Sequence, residues 1–256
     1  MTDQLFDISN KLALVTGSSR GLGYAMARGL VERGARVVLH GRSPESLAEA
    51  ADTLRGHTGG EVAHVAFDVT NNAAVEQGIA ELVTAHGVPD ILVNNAGLQK
   101  RAPFAEFDPA DFDAVLRTNL SSAFYVSHAL AQPMSRRGSG KIINLGSVQS
   151  LLARETIAPY AASKGGVAML TKGMAADLAR FGIQVNCISP GYFQTDMNAA
   201  LWQDDNFDAW VKQRTPAQRW GQLDELIGTL VLLASGASTF VSGQNIFVDG
   251  GMTSVV

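Results

Sequence analysis

The chain has 256 residues, 46% of them hydrophobic, which is enough for a substantial core and typical of one α/β domain. Its formal net charge of −4 argues against a nucleic-acid partner and against an anionic membrane. The single cysteine, Cys187, excludes an internal disulfide, and no apolar run approaches the roughly 18 residues that cross a bilayer. With no secretory signal at the N-terminus, we expect a soluble cytoplasmic protein.

Short aliphatic runs recur along the chain and predict buried strands, because each is too short for a typical helix. They span residues 12–16, 36–40, 62–68, 91–94, 141–145, 184–189 and 245–248. Longer segments between them, such as 22–33, 75–85 and 161–180, show helical spacing of apolar residues. This alternation predicts an α/β fold: a doubly wound, seven-stranded parallel sheet with helices on both faces, in one Rossmann domain over residues 1–256.

The first predicted strand leads into a glycine-rich turn that is followed directly by a helix pattern. Glycine lets the backbone turn tightly and approach a pyrophosphate, and a helix N-terminus offers free amides and a favourable dipole. A tight turn without a ligand is the alternative, but the strand-turn-helix context favours a dinucleotide. The expected contacts are Gly17, Ser19, Arg20, Gly21, Leu22 and Gly23.

The second predicted strand ends at His40-Gly41-Arg42, where proteins that prefer NAD usually carry an acidic residue for the ribose hydroxyl. Arg42 and Arg20 instead predict a pocket for the 2′-phosphate of NADP, because guanidinium matches phosphate geometry. Solvated arginines, with NAD as the cofactor, are the alternative. Asp68 and Val69, at the end of the third strand, are expected to hold the adenine ring.

A Tyr-x-x-x-Lys pattern lies thirteen residues beyond Ser147, which follows the fifth strand. Helical spacing puts Tyr160 and Lys164 on one face, where a lysine ammonium would lower the phenol pKa from its ordinary value of about 10. A serine hydroxyl at a strand end can hold the same carbonyl oxygen that the tyrosine protonates. The pattern alone is equally compatible with a solvated helix face. Combined with the glycine turn, it predicts hydride-transfer chemistry.

From residue 11 to residue 252 the chain resembles the short-chain dehydrogenase/reductase family. The matching features are the turn at 16–23, Asn94-Asn-Ala-Gly97, Asn119, Ser147, Tyr160 with Lys164, Pro190-Gly191 with Thr195, and Val248-Asp-Gly-Gly251. The resemblance implies that Asn119 holds a water in a proton relay with Lys164, which also binds the nicotinamide ribose. It further implies a homotetramer and cofactor contacts from Asn95, Ala96, Gly97, Pro190, Gly191, Phe193 and Thr195.

Stretches 95–103, 147–160, 190–195 and 207–220 resemble the subgroup of this family that interconverts 5-keto-D-gluconate and D-gluconate. A sugar acid needs a cation for its carboxylate and polar groups for its hydroxyls. Lys100, Arg101 and Arg154 are the available cations, with Arg101 and Arg154 as the expected carboxylate ligands. Gln149 is the expected hydroxyl partner. Solvated loop arginines or subunit contacts are the open alternatives.

Residues 193–222 form the one long insertion and are expected to be a substrate lid. Its tryptophans, Trp202, Trp210 and Trp220, suit a cover over the substrate and a subunit contact equally well. The five histidines show no metal-ligand spacing, so no metal site is predicted. Cys187 is expected to be a small buried hydrophobe.

Two other functions remain open. One is a different reductase of the same family, such as a 3-oxoacyl carrier-protein reductase, which needs a basic docking surface for its acidic carrier. The other is a catalytically idle nucleotide-sensing protein. The set Asn119, Ser147, Tyr160 and Lys164 argues against the second, because a binding module does not need an activated phenol.

Overall fold

A computed structural model describes residues 4–195 and 199–255. The strands are β1 (Leu12–Val15), β2 (Arg36–Gly41), β3 (Val62–Ala66), β4 (Ile91–Asn94), β5 (Gly140–Leu145), β6 (Ile183–Pro190) and β7 (Asn245–Val248). All pairings are parallel, and the sheet order is β3-β2-β1-β4-β5-β6-β7. The predicted seven-stranded, doubly wound sheet is confirmed.

Helices alternate with these strands along the chain. They are α1 (Gly21–Val31), α2 (Pro44–Thr58), α3 (Asn72–His86), α4 (Pro109–Leu116), α5 (Ser122–Arg137), α6 (Ala158–Leu178), α7 (Ala199–Trp202), α8 (Asp205–Arg214) and α9 (Ile227–Ala234). Among the described residues, none of the helices has both the length and the apolar character that a membrane span requires.

Two hydrophobic cores lie on opposite faces of the sheet, because buried strands present aliphatic side chains to both sides. One core joins α1, α2 and α9 to the sheet through residues such as Leu30, Leu54 and Leu230. The other joins α3, α5 and α6 through residues such as Ile79 and Leu130. The strand order reverses between β1 and β4, so a crevice for a ligand is expected at the carboxyl ends of these strands.

The third strand is shorter than predicted. It ends at Ala66 instead of residue 68, because the Asp68 carboxylate accepts hydrogen bonds from the backbone N–H and the hydroxyl of Thr70, both at 2.8 Å. Asn71 then caps α3 by accepting from Ala73 N and Ala74 N. Asp68 therefore lies in the turn beyond the strand, at the same edge of the sheet as the glycine turn.

The segment between β6 and α9 leaves the sheet and returns to it at one place. Gly221 N donates to Tyr192 O at 2.8 Å, and Gln194 N donates to Gly221 O at 3.1 Å. Between these points lie α7 and α8, within the stretch expected to be a lid, of which residues 196–198 lie outside the described residues. These hydrogen bonds therefore hold the two ends of the segment next to each other, at the carboxyl ends of the strands.

Candidate active site

The glycine turn packs closely against the end of β4. The Thr16 hydroxyl oxygen accepts from Asn95 N and Ala96 N, both at 3.0 Å, and the Asn95 amide donates to Thr16 O and Gly17 O, both at 2.9 Å. Gly17 has φ +62°, and a Cβ there would lie 2.9 Å from Ala96 Cα. The predicted cofactor residues at the turn and after β4 therefore lie together, and this close approach requires glycine.

The N-terminus of α1 is open to a ligand. Its N-cap residue, Arg20, makes no side-chain capping bond, and a Cβ on Gly21 would meet nothing within 4 Å. Free backbone N–H groups and the helix dipole favour an anion at such an end. A Cβ on Gly23 would lie 2.3 Å from Gly17 O, so glycine is needed there for the helix to pack under the turn. Ser19 and Leu22 flank this opening.

The residues predicted to select the nucleotide lie around the turn. Arg42 follows β2, and both it and Arg20 are exposed; neither forms a salt bridge within residues 4–195 and 199–255. The backbone N–H of Thr70 is the main cause that lowers the Asp68 pKa, and the charge of Arg42 adds to it. Val69 is buried beside this carboxylate. The guanidiniums of Arg20, at the glycine turn, and of Arg42, after β2, suit a phosphate because neither forms a salt bridge among the described residues.

His40 supports the glycine turn, a role that the sequence analysis did not assign. Gly17 N donates to its Nδ1 at 3.3 Å, and Nε2 lies 3.1 Å from Phe67 O. Burial lowers the pKa of His40 to about 4, so the imidazole is neutral at pH 7. A proton on Nε2 satisfies both contacts. The sequence feature that could have indicated this role is the position of His40 at the end of β2, the strand that pairs with β1.

Ser147, Tyr160 and Lys164 converge at the carboxyl ends of β5 and β6. The Ser147 hydroxyl lies close enough to the Tyr160 phenol to lower the pKa of that phenol. Lys164 is 5% exposed, its Nζ lies 5.6 Å from the Tyr160 ring centroid, and it donates to Leu145 O at 2.7 Å. The spacing on α6 puts Tyr160 and Lys164 side by side, and the end of β5 brings Ser147 to them.

The two titrating groups are shifted mainly by burial. Burial raises the pKa of Tyr160, although the hydrogen bond from Ser147 opposes this, and burial lowers the pKa of Lys164 to about 8. The expected lowering of the Tyr160 pKa by Lys164 is not what this arrangement gives, because the ammonium is directed at Leu145 O and the phenolate would be desolvated. At neutral pH the phenol is protonated.

Asn119 lies in a π-helical turn, Arg117–Ser121, between α4 and α5. Its Oδ1 accepts from Leu98 N at 2.8 Å, and its Nδ2 donates to Leu98 O and to Ser163 Oγ, both at 3.0 Å. A Cβ on Gly97 would lie 3.2 Å from Asn119 Oδ1. Asn119 thus ties the loop after β4 to α6, next to Lys164. Such π-turns are frequent at functional sites.

The expected substrate residues meet near Tyr160. Burial raises the pKa of Tyr192. The charge of Arg154, hydrogen bonding with Arg154 and the charge of Arg101 all lower this pKa. Burial lowers the pKa of Arg101, and the like charge of Arg154 lowers it further. The two arginines lie on loops that meet through the hydrogen bond from Ala102 N to Thr156 O at 3.1 Å, so their guanidiniums are within electrostatic range of each other. Tyr192 was not predicted as a site residue. Its position directly after the predicted Pro190-Gly191 pair is the sequence feature that could have indicated it.

The other candidates divide between the site and its surroundings. Gln149 is 8% exposed, and its buried Oε1 has no hydrogen-bond partner among the described residues. Lys100 pairs with Asp111 at 3.4 Å on the surface, so it is engaged outside the arginine pair. Within the same described ranges, no group of three or more His, Cys, Asp or Glu side chains is arranged to hold a metal ion.

The predicted nicotinamide loop leads from β6 towards α1. Pro190 ends β6, and a Cβ on Gly191 would lie 2.8 Å from Asp249 Cα, which requires glycine there. Phe193 is 6% exposed and packs in the core, so its backbone rather than its ring borders the site. A cavity of about 240 Å³ separates α1 from this loop. It is lined by Gly21, Tyr24, Ala25, Arg28, Gln194, Thr195, Trp202 and Leu223.

Comparisons with known proteins agree with this geometry. A family model described as enoyl-(acyl carrier protein) reductase matches residues 17–253. Gluconate 5-dehydrogenase of Gluconobacter oxydans (strain 621H) is 50% identical over 249 residues, 97% of either chain. 5-keto-D-gluconate 5-reductase of Escherichia coli (strain K12) is 45% identical over 250 residues, 98% of either chain.

Solved structures show the same fold. The structure of a gluconate 5-dehydrogenase from Burkholderia cenocepacia J2315 in complex with NADP and tartrate superposes with a TM-score of 0.96. Its sequence is 53% identical, and the match covers 99% of both chains. With the motifs, the sheet order and these relatives in agreement, the chain belongs to the short-chain dehydrogenase/reductase family of oxidoreductases.

Proposed function

We propose that this protein is an NADP-dependent oxidoreductase that interconverts 5-keto-D-gluconate and D-gluconate. The observation that carries the proposal is the pair of arginines, Arg101 and Arg154, on two loops that meet through the hydrogen bond from Ala102 N to Thr156 O. The names of two relatives at 50% and 45% identity, gluconate 5-dehydrogenase and 5-keto-D-gluconate 5-reductase, support the same substrate.

The residues at the glycine turn fit NADP. The cradle of Gly17 and Gly23, which a Cβ would fill, and the open N-terminus of α1 suit the pyrophosphate. Arg20 and Arg42 suit the 2′-phosphate, and Asp68 with Val69 borders the adenine position. The homologous structure from Burkholderia cenocepacia was solved with NADP. When bound, NADPH supplies the hydride for the carbonyl carbon.

In the reductive direction, Tyr160 donates its phenolic proton to the substrate oxygen, and Ser147 holds that oxygen through its hydroxyl. A raised Tyr160 pKa suits this step, because the phenol carries its proton at neutral pH. Lys164 donates to Leu145 O and lies over the Tyr160 ring, which suits the contact with the nicotinamide ribose that the family resemblance implies. Asn119 fixes the backbone at residue 98, and the family resemblance implies that it also holds a water in a proton relay with Lys164.

Recognition of the substrate falls to the arginine pair and to Gln149. Two close guanidiniums repel each other and are stabilised by a bound carboxylate. The unpartnered Oε1 of Gln149 would accept a hydrogen bond from a sugar hydroxyl. A long neutral acyl chain would leave the guanidiniums unneutralised, which favours a sugar acid over an acyl-carrier substrate.

The test is the loss of NADPH absorbance with 5-keto-D-gluconate, other keto acids and a carrier-linked 3-oxoacyl thioester as substrates. We expect the highest kcat/KM with 5-keto-D-gluconate, and a lower kcat/KM with NADH than with NADPH. Activity confined to the thioester would overturn the substrate, and no activity on any carbonyl would favour a nucleotide-sensing role. A preference for NADH would overturn the cofactor.

We further propose a cytoplasmic homotetramer in which residues 193–222 act as the lid of a single domain. Exposed apolar side chains on α5 and α6, Phe124 at 47% and Met169 at 64%, and Phe240 before β7 suit subunit contacts. Light scattering on the purified protein is expected to give four times the chain mass of 27.1 kDa. A monomer mass would overturn the assembly.

A further inference from the structure

The guanidinium of Arg154 rests on an aromatic ring from the proposed lid. Its Cζ lies 5.5 Å from the ring centroid of Phe207, on α8. A cation over an aromatic face is attracted by the ring quadrupole, and a guanidinium stacks with its plane while its edge stays available to a carboxylate. The contact therefore joins the loop after Ser147 to the segment that follows β6.

Other rings and a helix cap fix Phe207. Tyr192 packs edge-on against it at 5.7 Å, and Trp210 and Trp220 lie 5.4 and 6.3 Å away between centroids. The Asp204 carboxylate caps α8 by accepting from Phe207 N at 3.0 Å. Trp220 donates from Nε1 to Asp208 at 2.9 Å, which ties the far end of the segment to the same helix. The ring is a fixed platform.

Arg154 also has an unused donor. Its Nε is buried and has no hydrogen-bond partner among the described residues, and no described carboxylate forms a salt bridge with it. A buried charged donor without an acceptor is unfavourable, and a bound carboxylate would supply the missing acceptor. This observation points to a ligand independently of the contact with Phe207.

We propose that Phe207 is a positioning residue that determines specificity for carboxylate substrates by holding Arg154 in place for the substrate carboxylate. This inference rests on the proposed function, since it needs a substrate with a carboxylate. Without the ring, the long side chain of Arg154 samples more rotamers, and binding must order it first. The expected cost therefore falls on substrate binding rather than on the chemical step.

The chain offers a matched control. Arg180 lies over the ring of Phe181, 4.8 Å from Cζ to centroid, in the turn after α6 and before the amino end of β6. This arginine–phenylalanine pair lies at the edge of the sheet opposite to the active site. Replacing Phe181 by leucine removes a contact of the same kind without touching Arg154.

Steady-state kinetics of Phe207→Leu, Phe207→Met and Phe207→Tyr, with NADPH saturating, test the proposal. The first two lose the aromatic face, and we expect KM for 5-keto-D-gluconate to rise about threefold to tenfold with kcat within twofold of the parent. Phe207→Tyr keeps the face and should restore KM to within twofold. Phe181→Leu should leave both constants unchanged. Melting curves establish that each variant is folded, and the methionine variant preserves side-chain volume.

Arg154→Ala separates this proposal from the function on which it rests. We expect Arg154→Ala to raise KM and the double variant Arg154→Ala/Phe207→Leu to raise it no further, because the two residues act through one contact. If Arg154→Ala raises KM and neither Phe207→Leu nor Phe207→Met does, the positioning role is wrong and the carboxylate site stands. If Arg154→Ala leaves KM unchanged, the carboxylate site itself is wrong.

Discussion

The two halves of the candidate site are built by different kinds of interaction. Around the glycine turn and α6, backbone and polar side chains form a dense hydrogen-bond network, as Thr16, Asn95 and Asn119 illustrate. Around the proposed lid, Arg154 meets Tyr192 and Phe207 through ring contacts and charge, with a buried donor left over. The first half is preorganised for chemistry; the second is completed by its ligand.

This difference implies that substitutions can impair the chemical step and the recognition of the substrate independently of each other. Variants in the hydrogen-bonded half should change kcat or cofactor binding, and variants in the ring-lined half should change the KM of the sugar acid. The proposed separation would be wrong if a variant in the ring-lined half changed kcat, or if a variant in the hydrogen-bonded half changed the KM of the sugar acid.

The largest expected effect is that of Tyr160→Phe. It removes the proton donor and leaves the ring, so kcat should fall about a thousandfold with little change in protein stability. Stopped-flow or steady-state measurement of NADPH oxidation gives the decrease in kcat. Tyr125→Phe, on α5, is the matched control and should retain full activity. Residual activity within tenfold of the parent would show that another group supplies the proton.

A smaller effect is expected at the nucleotide end. Arg42→Ala removes one charge-assisted contact to the 2′-phosphate and should raise KM for NADPH about tenfold or more, while KM for NADH changes little. The comparison of the two coenzymes in one variant isolates the phosphate. Arg55→Ala, which breaks the surface pair with Asp52, serves as the control. An equal rise for both coenzymes would contradict the assignment.

A further effect concerns the pH dependence of stability. The pKa of His40 falls from 6.5 to about 4 on folding, so the unfolded chain binds the extra proton first as the pH drops. The contribution of this group is present above pH 6.5 and is lost between pH 6.5 and about 4. Urea unfolding should show about 2 kcal/mol of this loss by pH 5, at 1.36 kcal/mol per pH unit.

His40→Gln keeps a hydrogen-bond acceptor and donor but does not titrate, so this part of the slope should disappear. His57→Gln, on the exposed face of α2, should leave the slope intact. A slope that survives in His40→Gln would place its source elsewhere in the chain.

Much of the first half could be predicted from the sequence. The turn at 16–23 and the Tyr160 to Lys164 spacing are local patterns, and parallel strands bring their carboxyl ends to one edge, so Ser147 and Asn95 follow from the topology. The predicted end of β3 was wrong because the Asp68 carboxylate accepts a hydrogen bond from Thr70 N, which starts a turn there. His40 was missed because its role depends on a neighbouring strand.

The second half was less predictable. Arg101 and Arg154 were candidates, but Tyr192 and Phe207, which contact Arg154, come from segments distant in sequence, and no local spacing encodes that meeting. The direction of the Tyr160 pKa shift was also unpredictable, because it depends on burial and on where the Lys164 ammonium points. Side-chain contacts across segments decide both.

The separation of chemistry from recognition is tested most directly by calorimetric binding of D-gluconate to Tyr160→Phe in the presence of saturating NADP. This variant cannot transfer the proton but keeps Arg101, Arg154 and the rings of the proposed lid. The account predicts that Tyr160→Phe binds D-gluconate, and that the double variant Tyr160→Phe/Arg154→Ala, which is equally unable to turn over, binds it about tenfold more weakly or not at all. Loss of D-gluconate binding in Tyr160→Phe would contradict it.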